Sequence, residues 1–346
     1  MSASNSTGFL SFFTQIWCCY LIIPTCSKTV EVGTTAEHVS PVLELGEGPH
    51  WDPLTQSLYF VDLHRARVNR YHPETNGYFI ATIDDYEGDV SLIIPAEGKN
   101  NNFVVGLGPS IGIIEWDGRS NKTSRPKHVK LVDETPGNRL NDGKADATGR
   151  LWVGSMGPEI KESPGHYHKR RGSLYSVELD GTVIKRLSNV SISNGMAWSL
   201  DKKKFYYVDT YKFAVEAYDF DIVSGNLTNN RVIFNMTAKK VPGDPDGMTI
   251  DTDGNLWVAC FNSNYILKID PKIGRLLETV QLPAYQVTSV AFGGLKLNEL
   301  YATTAGYHLT EVQKSKRPYS GSVFRVTNTG SKGFAGVPVK TKSWHI

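Results

Sequence analysis

Neither sign of charge is in surplus in this chain: 37 Lys and Arg stand against 35 Asp and Glu, a formal net charge of +2. Holding a nucleic-acid backbone takes a concentrated positive field, so no nucleic-acid partner is expected. The densest basic run, His166-Tyr-His-Lys-Arg-Arg171, lies between Pro164 and Gly172 and reads as a solvated loop. Cysteine is scarce. Of 4 cysteines, Cys18, Cys19 and Cys26 crowd the N-terminus and only Cys260 falls in the body, which excludes a disulfide framework there. In the strand-like run Leu256-Trp-Val-Ala-Cys260 that thiol reads as a small buried hydrophobe. Long amphipathic helical periods are missing. So is familiar catalytic machinery: no nucleophile elbow, His-Glu-x-x-His helix, Walker loop or dinucleotide fingerprint falls in its required context. His50 and His64 read as polar surface or channel residues rather than a catalytic pair.

A full membrane span is lacking too. Residues 9–23 are strongly apolar but are interrupted by Ser11, Thr14 and Gln15 and fall short of the roughly 20 residues a span needs. They fit a signal-peptide hydrophobic region, with Thr25 and Ser27 following as small residues, yet residues 1–8 contain no Lys or Arg. Residues 1–36 are therefore read as leader and linker, with secretion expected if residues 9–27 act as a signal. Residues 37–340 are read as one domain.

Abundant instead are 32 Gly and 16 Tyr, set among short Val, Ile, Phe and Trp runs and Asp-Gly, Asn-Gly and Thr-Gly pairs. That composition is all-β. The runs also repeat: Gly48-Pro-His-Trp51 leads to Leu58-Tyr-Phe-Val-Asp62 as Gly195-Met-Ala-Trp198 leads to Phe205-Tyr-Tyr-Val-Asp209. Further copies run from Gly143 to Gly154 and from Gly247 to Ala259, with weaker ones near Val90 and Thr288. About six units spaced by about 40 to 53 residues predict a six-bladed β-propeller. A strand from residues 37–45 is expected to complete the last blade and remove the open edge.

Aligning the repeats on Asp52, Asp146, Ser199 and Asp251 and stepping back five positions gives Glu47, Asn141, Asn194 and Asp246, with Val90 and Thr288 near that slot. Equivalent positions of successive blades are related by rotation about the central axis, so one slot can converge on one point. Asn-Gly and Asp-Gly pairs taken singly are turn formers, but turn chemistry gives no reason for Glu47 to share the slot. Glu47, Asn194 and Asp246 are therefore candidate ligands for one divalent cation. All-oxygen donors suit Ca²⁺ or Mg²⁺, with Mn²⁺ and Zn²⁺ compatible. In Arg139-Leu-Asn-Asp-Gly-Lys144, Arg139 and Asn141 suit recognition of a hydroxylated, carbonyl-bearing ligand. Asp142 and Asp146 read as strand-end carboxylates that hold backbone N–H groups.

At Leu45-Gly-Glu-Gly-Pro-His-Trp51, Asn138-Arg-Leu-Asn-Asp-Gly-Lys144, Ile192-Ser-Asn-Gly195 and Pro245-Asp-Gly-Met248 the sequence resembles the regucalcin (senescence marker protein), gluconolactonase and luciferin-regenerating enzyme family. Gln286-Val-Thr-Ser-Val-Ala-Phe-Gly-Gly294 and Lys332-Gly-Phe-Ala-Gly-Val337 look most like its insect luciferin-regenerating branch. The resemblance implies a six-bladed propeller and metal ligands at Glu47, Asn194 and Asp246, with Ca²⁺ foremost. It also implies substrate contacts from Arg139, Asn141 and Glu159, and a cytoplasmic location. The implied activity is hydrolysis of a sugar lactone by a metal-activated water, with Asp246 as the catalytic acid and base. The alternatives are a calcium-binding regulatory protein without catalysis and a luciferin-regenerating type of hydrolase.

Overall fold

The strand runs are apolar at nearly every position because both of their faces are covered. In Ser57–Asp62, Leu58 and Phe60 enter one core while Tyr59 and Val61 enter the next. In Leu256–Phe261, Leu256 and Val258 likewise part from Trp257 and Ala259. Successive side chains of a strand point to opposite faces. A sheet whose residues alternate between two cores is therefore sandwiched between two neighbours.

The computed structural model describes residues 34–98 and 101–344, and the apolar leader lies outside them. It contains six four-stranded antiparallel sheets. Their first strands are Gly46–Asp52, Val90–Pro95, Arg139–Ala145, Ser193–Trp198, Asp244–Ile250 and Val287–Gly293, and they open blades 1 to 6. Six hydrophobic clusters alternate with the blades, one between each adjacent pair, and the cluster holding Trp51 and Tyr301 joins blade 6 back to blade 1. The fold is the expected six-bladed propeller.

Thr35–His38 pairs antiparallel with Phe324–Thr327 as the outermost strand of blade 6. The closing strand thus begins before the expected 37–45 and ends at His38. Pro41 has no N–H for a ladder; Leu43 is buried in the core between blades 6 and 1 and Leu45 in the core between blades 1 and 2, where it makes an isolated bridge to Ala305. The C-terminal segment crosses the far face of the ring. Gly333 N bonds Leu297 O in blade 6, Gly336 N bonds Trp51 O in blade 1, Val339 N bonds Pro95 O in blade 2, and Lys340 N bonds Gly149 O in blade 3.

Asp146 and Asp251 close their turns as read from the sequence: each accepts backbone N–H groups from its own turn and the indole N–H of Trp152 or Trp257, at 3.0 Å in both cases. Gly108-Pro-Ser-Ile-Gly112 spells a nucleophile-elbow pattern, but Ser110 opens the strand Ser110–Glu115 and no helix follows it. Cys260 is fully buried and burial pushes its thiol up, so it is inert.

Trp257 is fully buried between blades 5 and 6, edge-on to Phe292 at 5.8 Å. Replacing it by Ala is expected to destabilise the protein by about 3 to 5 kcal/mol, read as a lowered urea midpoint. An unchanged midpoint would show that the interblade clusters do not hold the ring closed.

Candidate functional site

Every first strand slips its register at the same place. The shifts fall between Glu47 and His50, Val90 and Ile93, Leu140 and Gly143, Ser193 and Met196, Pro245 and Met248, and Val287 and Ser289. Counting from the residue paired with the same point of each second strand, the equivalent positions are Glu47, Ser91, Asn141, Asn194, Asp246 and Thr288. Blade 2 thus contributes Ser91, not Val90, because Val90 is the paired residue and its side chain belongs to the core between blades 1 and 2.

Asn194-Gly195 and Asp246-Gly247 are not turns. Both lie within first strands, and each glycine admits the next blade: a Cβ at Gly195 would sit 2.6 Å from Asp246 O, and one at Gly247 would sit 2.0 Å from Ser289 Oγ. Glycine at these positions brings the first strands close enough to share a site.

Glu47, Asn194 and Asp246 are 8 %, 4 % and 5 % exposed. The direction of the Asn194 amide follows from its partners. Thr210 Oγ1 gives its single hydrogen to Pro245 O at 2.9 Å, so it accepts from Asn194 Nδ2 at 2.8 Å. Asn194 Oδ1 is left as the free acceptor face and receives Asn141 Nδ2 at 3.0 Å. Asn141 Nδ2 also donates to Ser193 O, and Asn141 Oδ1 accepts from Arg139 Nη1 at 2.8 Å. Arg139 Nε reaches Asp89 Oδ2 at 3.1 Å. Three of the expected residues, Arg139, Asn141 and Asn194, therefore form one continuous chain.

Glu159 stands apart on the rim, in the loop between the second and third strands of blade 3. Its carboxylate accepts from Gly165 N and faces His308 Nε2 at 3.4 Å. Among the described residues no hydrogen bond or ion pair joins Glu159 to Glu47, Asn194 or Asp246. The basic run belongs to the same loop, where Tyr167 N bonds the Tyr211 hydroxyl and Lys169 Nζ lies 5.0 Å over the Tyr211 ring.

Asp142 departs from its expected role. The register shift leaves Asn141 and Asp142 both out of the ladder, so Asp142 is turned into the site, 9 % exposed, instead of capping a turn. Its one bonded backbone group is the adjacent Gly143 N. Its charge helps raise both Glu47 and Asp246. Burial first, then Asp142, lifts the Glu47 carboxyl to about 8. Burial, then Glu47 and Asp142, hold Asp246 well above the usual carboxylate range. Like charges removed from water act in the same direction as desolvation.

His64, set aside in the sequence, donates its Nδ1–H to Asp89 Oδ1, 2.9 Å away, so the Arg139 chain ends on an imidazole. Asp246 Oδ1, His64 Nε2 and Ser91 Oγ are among the buried polar atoms left without a partner. The hint of this chain in the sequence is Arg139-Leu-Asn-Asp142, three polar residues in four at the head of a strand.

A cation fits this donor set. Two desolvated carboxylates, one with an orphaned oxygen, and one amide oxygen turned inward are what a hard divalent ion compensates. Among the described residues no three His, Cys, Asp or Glu side chains gather as a metal site by themselves, so the amide of Asn194 is needed to complete the set.

The family model described as the SMP-30/gluconolactonase/LRE-like region matches residues 45–306. Regucalcin of Xenopus laevis is 36 % identical over 297 residues, covering 86 % of this chain and 95 % of its own. A solved luciferin-regenerating enzyme superposes with a TM-score of 0.81 at 43 % identity, covering 89 % of this chain and all of that one. A solved calcium-binding regucalcin from Agrobacterium tumefaciens reaches a TM-score of 0.77 at 23 % identity, over 88 % of this chain and 97 % of that one, a likeness of fold.

A carboxyl raised to about 8 in the folded protein is protonated there while the unfolded chain is already ionised above its ordinary value. The cation-free protein therefore keeps this contribution below pH 4.5 and loses it progressively as pH rises to about 8. Melting without divalent ions should show stability falling across that window, and Glu47→Gln should flatten the slope. A slope identical in the variant would remove Glu47 from the raised pair.

Proposed function

This chain belongs to the SMP-30/gluconolactonase/LRE-like family, and on that premise we propose that it is a divalent-metal-dependent lactonase that opens a sugar lactone. Glu47, Asn194 and Asp246 would hold the cation, and Arg139, Asn141 and Glu159 would contact the substrate. The observation that carries the reading is the buried, unpartnered Asp246 Oδ1 beside a second desolvated carboxylate. The all-oxygen donor set and the calcium-binding description of the bacterial regucalcin favour Ca²⁺, with Mg²⁺, Mn²⁺ and Zn²⁺ also compatible with oxygen ligands.

When bound, the cation would act as a Lewis acid on the lactone carbonyl and lower the pKa of an attacking water. Asp246 accepts the proton of that water as its oxygen bonds the carbonyl carbon, and returns the proton to the ring oxygen as the ring C–O bond breaks. The product is the open-chain hydroxy acid. Arg139, held at Nε by Asp89 and at Nη1 by Asn141, presents the rest of its guanidinium beside Tyr167 to the substrate oxygens. Asn141 is fixed by Arg139, Ser193 O and Asn194, so a sugar hydroxyl meets a preoriented amide.

Glu159 and His308 close the rim from opposite sides of the mouth, in a position to sort substrates by size. No described helix is long and apolar enough to cross a membrane. A cytoplasmic location is proposed by likeness to regucalcins, with export the alternative if residues 9–27 direct it.

The test is hydrolysis of D-glucono-1,5-lactone by the full chain, stripped of metal and titrated with Ca²⁺, Mg²⁺, Mn²⁺ and Zn²⁺. Turnover should return with added ion. Asp246→Ala and Glu47→Ala should each lower kcat/KM by at least about 100-fold, with the circular dichroism of the propeller unchanged. Ion binding with no turnover of any lactone would favour a regucalcin-like binding protein; full activity in Asp246→Ala would sink the mechanism.

A further inference from the structure

The first strand of each blade has one edge paired and one edge open to the central channel, so its channel-side carbonyls need partners from elsewhere. Lys144, on the first strand of blade 3, supplies two of them across the channel. Its Nζ donates to Met196 O in blade 4 at 3.0 Å and to Met248 O in blade 5 at 2.6 Å. Met196 lies two residues after Asn194, and Met248 two residues after Asp246. The ammonium is thus anchored beneath the two candidate ligands by backbone, and Asp142 is its charge partner.

Below it the channel widens into an apolar cavity of about 240 Å³ bordered by Trp51, Trp198, Leu200 and Phe334. Lys144 and His50 both border that cavity on the side of the channel.

The charges around the cluster can be counted. Glu47, Asp142 and Asp246 are three buried carboxylates. Arg139 is matched by Asp89. His50, also in the channel, is held neutral because burial lowers it to about 4. Asp244 is half-buried, bonded to Asn262 Nδ2, and adds a weaker repulsion to Asp246 after Glu47 and Asp142. Among these groups, Lys144 is the cation without a carboxylate of its own outside the cluster, so its charge offsets one of the three buried carboxylates.

Resting on the cation site proposed above, we propose that Lys144 is a positioning residue that sets the site for a divalent ion: its anchored ammonium cancels one of three carboxylates and lowers the preference for ions of higher charge. A lysine that merely braced three blades would, when lost, weaken every ion alike. A lysine that sets the charge would, when lost, favour a trivalent ion over a divalent one, because each added unit of ion charge gains attraction from the uncovered carboxylate.

The experiment compares Ca²⁺ and La³⁺ affinities of the full chain by calorimetry, in wild type, Lys144→Gln and Lys144→Arg. Gln can still donate to one of the carbonyls but carries no charge; Arg restores the charge. The ratio of La³⁺ to Ca²⁺ affinity should rise about tenfold or more in Lys144→Gln and return toward wild type in Lys144→Arg. Lys144→Met provides the same reading should the Gln protein not fold. A ratio unchanged in the neutral variant, with both ions still bound, overturns the role given to Lys144 and leaves the cation site standing. No ion bound by the wild type overturns both.

Discussion

Three carboxylates, Glu47, Asp142 and Asp246, are buried within electrostatic reach of one another, and their mutual repulsion is the constraint around which the centre of this propeller is organised. Desolvation and like charge drive Glu47 and Asp246 in the same direction, toward holding protons. A fold that keeps such groups together needs rigid support, because each would relax into solvent if its strand moved. Support comes from covalent position and from bonds between blades. Asn141 reaches Ser193 O, Thr210 reaches Pro245 O, Thr288 reaches Gly46 O, and Lys144 reaches two carbonyls at once. Side chains on one blade thus satisfy backbone on the next, and the ring that displays the carboxylates is fastened by residues beside them.

The same economy explains why so much chemistry lies in one slot. A repeat that slips register at a fixed point places one polar residue per blade at or just inside the slip, and six blades present six of them to a common axis. Blades 1, 4 and 5 put Glu47, Asn194 and Asp246 there, while blades 2 and 6 put the hydroxyls of Ser91 and Thr288. One side of the channel is therefore richer in strong donors than the other, and Arg139 and Asn141 of blade 3 lie between these groups, where a ligand with hydroxyls would meet them.

Much of this was legible before any coordinates. Alternating apolar runs with turn punctuation predict blades, and the five-residue step back from the residue that begins each turn, Asp52, Asp146, Ser199 or Asp251, reaches Glu47, Asn141, Asn194 and Asp246 in equivalent places. The misses share a cause: each depends on an irregularity that pattern does not encode. In blade 2 the aligned turn position holds Ala96, so the pattern reaches only the neighbourhood of the slot, at Val90, and the register singles out Ser91. A bulge in blade 3 exposes two consecutive residues, so Asp142 was read as a turn former. Ring closure demands a terminal strand and points to 37–45, but the ladder runs over Thr35–His38, while Leu43 and Leu45 serve the cores and Pro41 has no N–H to pair. Lys144 was invisible, since its partners are carbonyls 52 and 104 residues away. Glu159 came only from the resemblance, and its place on a long rim loop shows why spacing within the repeats could not reach it.

The central claim is that one cation sits where the first strands of blades 1, 4 and 5 converge. Anomalous diffraction from crystals grown with Mn²⁺ tests it most directly. The account predicts a single strong peak in the channel, about 2.0 to 2.6 Å from oxygens of Glu47, Asn194 and Asp246. A peak held by other residues, or a channel without one in protein that still turns over lactone, would contradict it.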